Sequence, residues 1–403
     1  MTSSSTFTSS SPPATLLNGL LENIALYRDT GMSLDEIHDL SFVAQVERAI
    51  YKLKTDGYCV VPNVLSHSQC EEYIKDIWTW MADLGTGLQQ DDPKTWGKDR
   101  WPFADRGIVS YPDPSQAPFV WKARAESRVL QVFETAWGTR ELVTSLDRFN
   151  ISKPATVAAA RKNVNPNAAL WLHLDQPLSA DHQFADSEYE RSWQAKSCIQ
   201  GFLNLEDTDS TDAGLIVIPK SHRSHSDIMN HIFYPHEDHS KPLTGQERIE
   251  LEQKRADFCA KNKAPFFKDK QKGALLKYYS IHHVVAPKGS LILWDSRTIH
   301  CNRQASSTQL HPGRFRYGVY VCVVPVPPGG MDPKLAKKRK ACFETGRGAN
   351  HDPLVSNPFP LSPHLWCADD KTRKERLKKP KVLDKEEELT TRQKELLTGA
   401  YMR

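Results

Sequence analysis

No apolar run in the 403-residue chain approaches the roughly 20 residues that a bilayer-spanning helix needs, so no membrane span is expected. No charged side chain occurs before Glu22. The opening "MTSSSTFTSSSPPAT" therefore lacks the basic start and apolar stretch of a secretory signal, and the arginines of a transit peptide. Residues 1–15 read as a disordered tail. The closing "YMR" matches no common C-terminal address signal, and the expected location is cytoplasmic. No CxxC joins any of the eight cysteines (59, 70, 198, 259, 301, 322, 342 and 367), which excludes a zinc ribbon and a dithiol redox motif. Scattered cysteines without a signal peptide read as reduced thiols. Charge of one sign is lacking too. The 53 Lys and Arg stand against 49 Asp and Glu, and a formal +4 gives no reason to expect a nucleic-acid partner. There is no internal repeat.

What is present is an ordinary globular composition, 39% hydrophobic and 25% charged. Residues 33–55 and 66–84 have helical periodicity, with Ser66 as an N-cap and Cys70, Tyr73, Ile77 and Trp80 on one face. Between them "DGYCVVPNVL" predicts a short strand. Residues 85–107 are rich in Gly, Asp and Pro and predict a long loop, and 127–138 predicts another helix. From about 141 the chain changes to short apolar segments divided by turn residues: "LVTSLDRFNI", "ALWLHLD", "SCIQGFLNLED", "AGLIVIP", "GSLILWD" and "RYGVYVCVVPV". Many short strands argue for an antiparallel sandwich or barrel. The fold class is therefore α+β with a mainly β core, helical to about 140 and β over about 141–325. Residues 223–286 interrupt the strands and read as a helical insertion, with Thr244 and Glu247 spaced as a capping box. Residues 331–403 form a basic, mostly helical extension after a single domain over 16–330. Thr390 and Gln393 are a second capping box and Gly399 a helix stop.

One apolar run is out of character. "ALWLHLDQPL", residues 169–178, carries His173 and Asp175 with one Leu between them. In a strand these two side chains share a face. A buried carboxylate is costly unless it is paired or binds a metal. On its own HxD is common by chance, and an Asp–His hydrogen bond accounts for it. A second stretch shifts the balance. "KGSLILWDSRTIHCNRQ" is an apolar strand that ends in a polar turn and His300, and "GRFRYGVYVCVV" follows with Arg314 and Arg316 at its start. Two imidazoles and one carboxylate make the facial triad that suits non-haem Fe(II). An arginine on the next strand can grip the far carboxylate of a 2-oxo acid in a bidentate fork.

These motifs resemble the phytanoyl-CoA dioxygenase-like family of Fe(II)/2-oxoglutarate-dependent oxygenases over roughly residues 50–325. The likeness rests on "DGYCVVPNVLS", "WLHLDQ", "GLIVIPKSH" and "GSLILWDSRTIH". It implies a double-stranded β-helix, the cupin-like jelly roll. It also implies iron held by His173, Asp175 and His300, and 2-oxoglutarate anchored by an arginine after His300. "RYGVYV" fits the family pattern best and selects Arg316, with Arg314 as the runner-up and Arg303 nearer but in the turn. Asn302 and Gln200 occupy positions that help bind the cosubstrate in the family. Asn204, Asp147 and Trp294 are candidates to line the substrate side. For Gln200 and Asn204 an ordinary strand hydrogen bond accounts for the residue equally well, as does a salt bridge for Asp147 and Arg148. The implied reaction consumes O2 and 2-oxoglutarate, releases CO2 and succinate, and hydroxylates or otherwise oxidises a C–H bond. A carboxylate at Asp175 disfavours halogenation.

Other clusters have plainer readings. The five histidines 222, 225, 231, 236 and 239 read as a solvated loop, and His282 and His283 as opposite faces of a strand. The basic runs "DPKLAKKRKA" and "KTRKERLKKPK" read as a solvated helical extension. A small or lipid-like substrate is the leading expectation. The same chemistry on a protein or nucleic acid docked by the basic segment is second, and a non-catalytic metal-binding barrel last. Oligomeric state is not legible.

Overall fold

The computed structural model describes residues 25–155, 170–175, 198–228, 244–247, 250, 267–356, 358–359 and 378–401. The first helical stretch is not continuous. It divides into α1 (Leu34–Asp39) and α2 (Phe42–Asp56) because Ser33 and Ser41 each cap a helix start, through Glu36 N and Ala44 N, and Leu40 between them is extended. The Gln45 amide pins the corner by donating to the carbonyls of Ile37 (2.8 Å) and Leu40 (3.0 Å). After β1 (Tyr58–Val61), α3 (His67–Ala82) begins at Ser66 with the expected reciprocal capping box to Gln69. The 85–107 segment is largely irregular, as its composition predicts, but closes in a hairpin of β2 (Phe103–Asp105) and β3 (Ile108–Tyr111). Helices α4 (Pro118–Arg124) and α5 (Ser127–Trp137) follow.

The later strands are β4 (Leu142–Thr144), β5 (Phe149–Ser152), β6 (Ile199–Asn204) and β7 (Gly214–Val217). Short helices α6 (His225–Ile228) and α7 (Asp269–Leu275) precede β8 (His282–His283), β9 (Leu291–Asp295), β10 (His300–Arg303) and β11 (Arg316–Pro325). "LVTSLDRFNI" is thus two strands. Both pair with β11, β4 at its end (Thr144 opposite Val323) and β5 at its beginning (Phe149 opposite Val319). The larger sheet runs β1-β9-β6-β11-β5-β3-β2 with β4 added on β11, and the smaller runs β10-β7-β8. Every ladder is antiparallel. "ALWLHLD" contributes a single bridge, His173 to His300, rather than a full strand. Of the 223–286 segment, β8 joins the smaller sheet, and Thr244 and Glu247 form the expected capping box. Most of the remainder lies outside the described residues, as do residues 1–15 and most of "KTRKERLKKPK".

Alternation along each strand sorts the side chains into layers. Cys59, Val61, Leu203, Leu291, Leu293, Val319 and Val321 pack outward under α2, α3, α4 and α5. Tyr58, Val60, Phe202, Leu215, Val217, Ile292 and Trp294 fill the space between the sheets. Leu170, Leu172, Leu174, Ile216, Ile218, Ile299 and Cys301 form a third cluster behind the smaller sheet. The molecule is a mixed α/β fold with antiparallel sheets. Among the described residues no helix is long and apolar enough to cross a membrane.

The basic extension is not the solvated helix expected from its charge. Helices α8 (Pro333–Glu344) and α9 (Thr391–Thr398) dock on the core, with Trp121, Leu146, Cys342, Phe343, Leu389 and Leu397 in one apolar cluster. Arg339, from the first basic run, is fully buried. Its guanidinium donates to the carbonyls of Thr144 (2.5 Å), Leu397 (2.9 Å), Pro353 (3.2 Å) and Leu396 (3.3 Å), and to Ser356 Oγ (2.8 Å). Burial lowers its pKa to about 10, which leaves it cationic at neutral pH. Lys340 pairs with Glu386 at 2.7 Å. Arg339 is spent inside the fold because a fork of five donors can collect carbonyls that helix ends leave bare, whereas Lys334, Lys337 and Lys340 stay exposed. Replacing Arg339 by Ala is expected to cost roughly 3 kcal/mol or more, since several buried acceptors lose their donor at once. Chemical denaturation checks this; a loss under ~1 kcal/mol would show that the extension is not held in this way.

Candidate metal centre

His173 and His300 face each other across mutual backbone hydrogen bonds, His173 N to His300 O and His300 N to His173 O, both 3.1 Å. That pairing sets two imidazoles side by side with centroids 4.3 Å apart. Asp175, two residues on, is tethered by its N–H to Ser296 O at 3.3 Å. Its carboxylate meets both rings, Oδ1 at 3.5 Å from His173 Nε2 and Oδ2 at 3.1 Å from His300 Nε2. One potential ligand atom from each residue lies within 4.8 Å of the other two. Leu170, Leu172 and Leu174 turn to the opposite face, as the alternation requires. The sequence-predicted triad is therefore brought together.

The protonation states suit ligation. Nδ1 of His173 donates to Trp171 O (3.2 Å) and Nδ1 of His300 to Thr298 O (2.9 Å). A carbonyl can only accept, so each ring carries a proton on Nδ1 and turns Nε2 to the centre. Burial lowers the His173 pKa to about 3, helped by His300 and opposed by Asp175, so the ring is neutral. Burial alone would raise Asp175. The neighbouring His351 and His300, the latter also through a hydrogen bond, outweigh it and hold the carboxyl well below the usual range.

The other predicted residues separate into two groups. Arg316 is 4% exposed, with its guanidinium over the Phe202 ring at 4.2 Å and one bond, Nη1 to Asn302 Oδ1 at 3.1 Å. No carboxylate among the described residues pairs with it, and burial lowers its pKa. Asn302 also donates to Tyr320 Oη (2.8 Å), so it links the arginine to the inner face of β11. Trp294 lies on the same inner layer, 5.5 Å from the His300 ring. Gln200 approaches the triad itself: its amide donates to Asp175 Oδ2 at 2.8 Å. Arg314, by contrast, is neutralised by Asp209 (3.1 Å) and Asp212 (2.9 Å). Asn204 is not at the site. Its amide is committed to the carbonyls of Glu206, Ala286 and Pro287, closing the end of β6. Asp147 is raised by burial, and its Oδ1 accepts from Arg148 N at 2.8 Å. The Arg148 side chain pairs with Asp113 instead, at 3.4 Å.

Other expectations change too. His222 and His225 are buried rather than solvated, and His222 Nε2 bonds Lys54 O at 3.1 Å. His231, His236 and His239 lie outside the described residues. His282 and His283 do face opposite ways, toward Asp29 (2.9 Å) and Ser210 O (2.9 Å). The six described cysteines are free and buried. Two residues escaped the sequence reading. Tyr320 was legible in principle, since period-two spacing from Arg316 puts it on the inner face. His351 was not: it comes from the extension, yet it is an electrostatic neighbour of Asp175, His173 and Asp147.

Two imidazoles and a carboxylate converging between antiparallel sheets define a candidate mononuclear metal centre, a facial triad with open positions. Residues 53–312 match the phytanoyl-CoA dioxygenase (PhyH) family, and the chain belongs to that family. Ava biosynthesis cluster protein O of Aspergillus versicolor is 25% identical over 289 residues, 72% of this chain and 80% of that one. A candidate oxidoreductase of Salmonella typhimurium LT2 has a similar solved structure, with a TM-score of 0.50 and 12% identity, covering 96% of this chain and 93% of that one. EctD from S. alaskensis with bound Fe is a more distant likeness (TM-score 0.38, 14% identity, 70% and 77% covered).

Gln200 holds the carboxylate of the triad by a charge-assisted bond. Gln200→Ala is expected to weaken the affinity for a divalent metal about 10-fold. Titration of the metal-free protein with Co(II) checks this, and wild-type affinity would show that the amide does not orient Asp175.

Proposed function

We propose that this chain is an Fe(II)- and 2-oxoglutarate-dependent oxygenase on a double-stranded β-helix, hydroxylating or otherwise oxidising a C–H bond of a small organic molecule. The observation that carries the reading is the pairing of the His173, Asp175 and His300 triad with a buried arginine, Arg316, that has no carboxylate partner among the described residues. The donor set fits iron: two imidazoles present Nε2, one carboxylate lies between them, and the triad contains no thiolate. The arginine fits the far carboxylate of 2-oxoglutarate, because a buried cation with free donors gains a pair and a bidentate bond together. Bound iron, with 2-oxoglutarate and O2, supplies the oxidising chemistry and yields succinate and CO2.

The chain's own residues do the rest. His173, Asp175 and His300 would hold the metal, and with three protein ligands would leave room for cosubstrate, oxygen and substrate. Gln200 fixes the carboxylate rotamer. Asn302 and Tyr320 hold Arg316 against Phe202, so its fork is set before the cosubstrate arrives. Trp294, Phe202 and Ile292 fill the layer between the sheets and exclude water from it. The small-molecule substrate is favoured by the Aspergillus relative, whose name places it in a biosynthesis cluster. It is favoured also by the burial of Arg339 from the first basic run, which takes that guanidinium out of reach of a polymer.

Succinate release from 2-oxoglutarate in the presence of Fe(II) and O2 tests the reading. Asp175→Ala is expected to abolish it; unchanged turnover would overturn the triad. Arg316→Ala is expected to raise KM for 2-oxoglutarate about 10- to 100-fold, the worth of a charge-assisted bond. Arg314→Ala is expected to leave KM unchanged and lower the thermal midpoint, because it breaks two structural ion pairs. The reverse pattern would move the anchor to Arg314.

A further inference from the structure

The first shell of the centre rests on a stack that the reaction itself does not require. The Trp171 indole lies parallel to the His173 imidazole, with centroids 4.3 Å apart and planes 11° apart. The Arg106 guanidinium sits over the same indole at 4.3 Å. Trp171 Nε1 donates to Asn302 O at 2.9 Å, two residues beyond His300 on β10. The indole is therefore restrained by a ring, a cation and a hydrogen bond.

Arg106 is the tip of the β2–β3 hairpin and adopts a left-handed backbone, φ 48°. Such a conformation is uncommon outside Gly, Asn and Asp, and here it is held by close packing. Gly107 follows at φ +86°, and a Cβ there would lie 2.2 Å from Ser152 Oγ, so the tip lies directly on β5. Ile151 N donates to Gly107 O at 2.8 Å. The Arg106 carbonyl accepts from Asn150 Nδ2 (3.3 Å), which also bonds Tyr320 Oη (3.3 Å). Asn302 donates to that same hydroxyl and accepts from Arg316. One hairpin residue thus touches both ends of the site: its side chain reaches the ring beside a metal ligand, and its carbonyl reaches the network that holds the cosubstrate anchor.

We propose that Trp171 is a positioning residue for His173, and that Arg106 holds it in place from the β2–β3 hairpin. The inference rests on the metal reading above. A parallel stack resists rotation of the imidazole about its last side-chain bond and adds to the restraint of the Nδ1 bond to Trp171 O. The guanidinium over the indole keeps the stack closed, and Asp105 at 2.7 Å keeps the guanidinium aimed.

Co(II), whose visible absorption bands report ligand geometry, is the probe. It is titrated into the full-length metal-free wild type and into Trp171→Leu, Trp171→Phe, Arg106→Gln and His173→Ala, with thermal unfolding as the check on fold. Trp171→Leu is expected to weaken Co(II) binding about 10-fold and to shift the bands. Trp171→Phe, which keeps a ring to stack, is expected to recover most of that loss, and Arg106→Gln to show a smaller loss in the same direction. Wild-type affinity and unshifted bands in a folded Trp171→Leu overturn the proposal. If that variant does not fold, Arg106→Gln decides, and wild-type affinity and bands there overturn it. Co(II) binding that is absent from the wild type, or that survives in His173→Ala, overturns the metal reading instead.

Discussion

The pair of backbone hydrogen bonds between His173 and His300 is the constraint on which the site depends. It is local in space and remote in sequence. Each histidine keeps its side chain inward because its neighbours, Leu172, Leu174, Ile299 and Cys301, are pulled into the cluster behind the smaller sheet. Burial of those four side chains, worth ~1.5 kcal/mol or more each, sets which way the polar ones must turn. Once the two backbones bond, the rings are neighbours, and the carboxylate two residues further on has only one place to go.

From that point the centre is built outward by hydrogen bonds that each settle one degree of freedom. Trp171 O and Thr298 O choose the imidazole tautomers. Gln200 chooses the Asp175 rotamer. The Gln200 residue is delivered by β6, whose register against β9 places it opposite Trp294. Across β11 its partner is Cys322, and three strands of the larger sheet thereby fix one amide. The layer between the sheets is apolar except where these groups meet, so their mutual attraction is little screened.

The arginines show how one residue type serves three ends. Arg339 is buried and surrounded by carbonyls, and it fastens the extension. Arg314 is matched by two aspartates and fastens a turn. Arg316 is buried with a single amide partner and an aromatic face, which leaves its charge to be met by something that binds. In sequence Arg314 and Arg316 differ by two positions and look interchangeable. Their environments differ because Arg314 precedes β11 and lies over the Asp209–Asp212 turn, whereas Arg316 is already in the ladder and points between the sheets.

Short motifs carried a good deal. Alternation in "WLHLD" was enough to put His173 with Asp175, because an extended segment leaves its side chains only two directions, and the family pattern in "RYGVYV" selected Arg316. Capping residues at Ser66, Thr390 and Gly399 set helix ends for equally local reasons. Partners were another matter. Sequence could not say that Asn204 closes a strand end, that Arg148 leaves Asp147 for Asp113, or that a basic helix would bury its arginine. Nor could it bring His351 near the centre or lay Arg106 on Trp171. Those depend on which segments the packed chain sets against one another. The sequence by itself determined the ligand types and the faces they occupy, since both follow from backbone geometry over a few residues. Tertiary structure alone decided what each polar group bonds, since a hydrogen bond or ion pair is satisfied by whatever lies within about 3 Å.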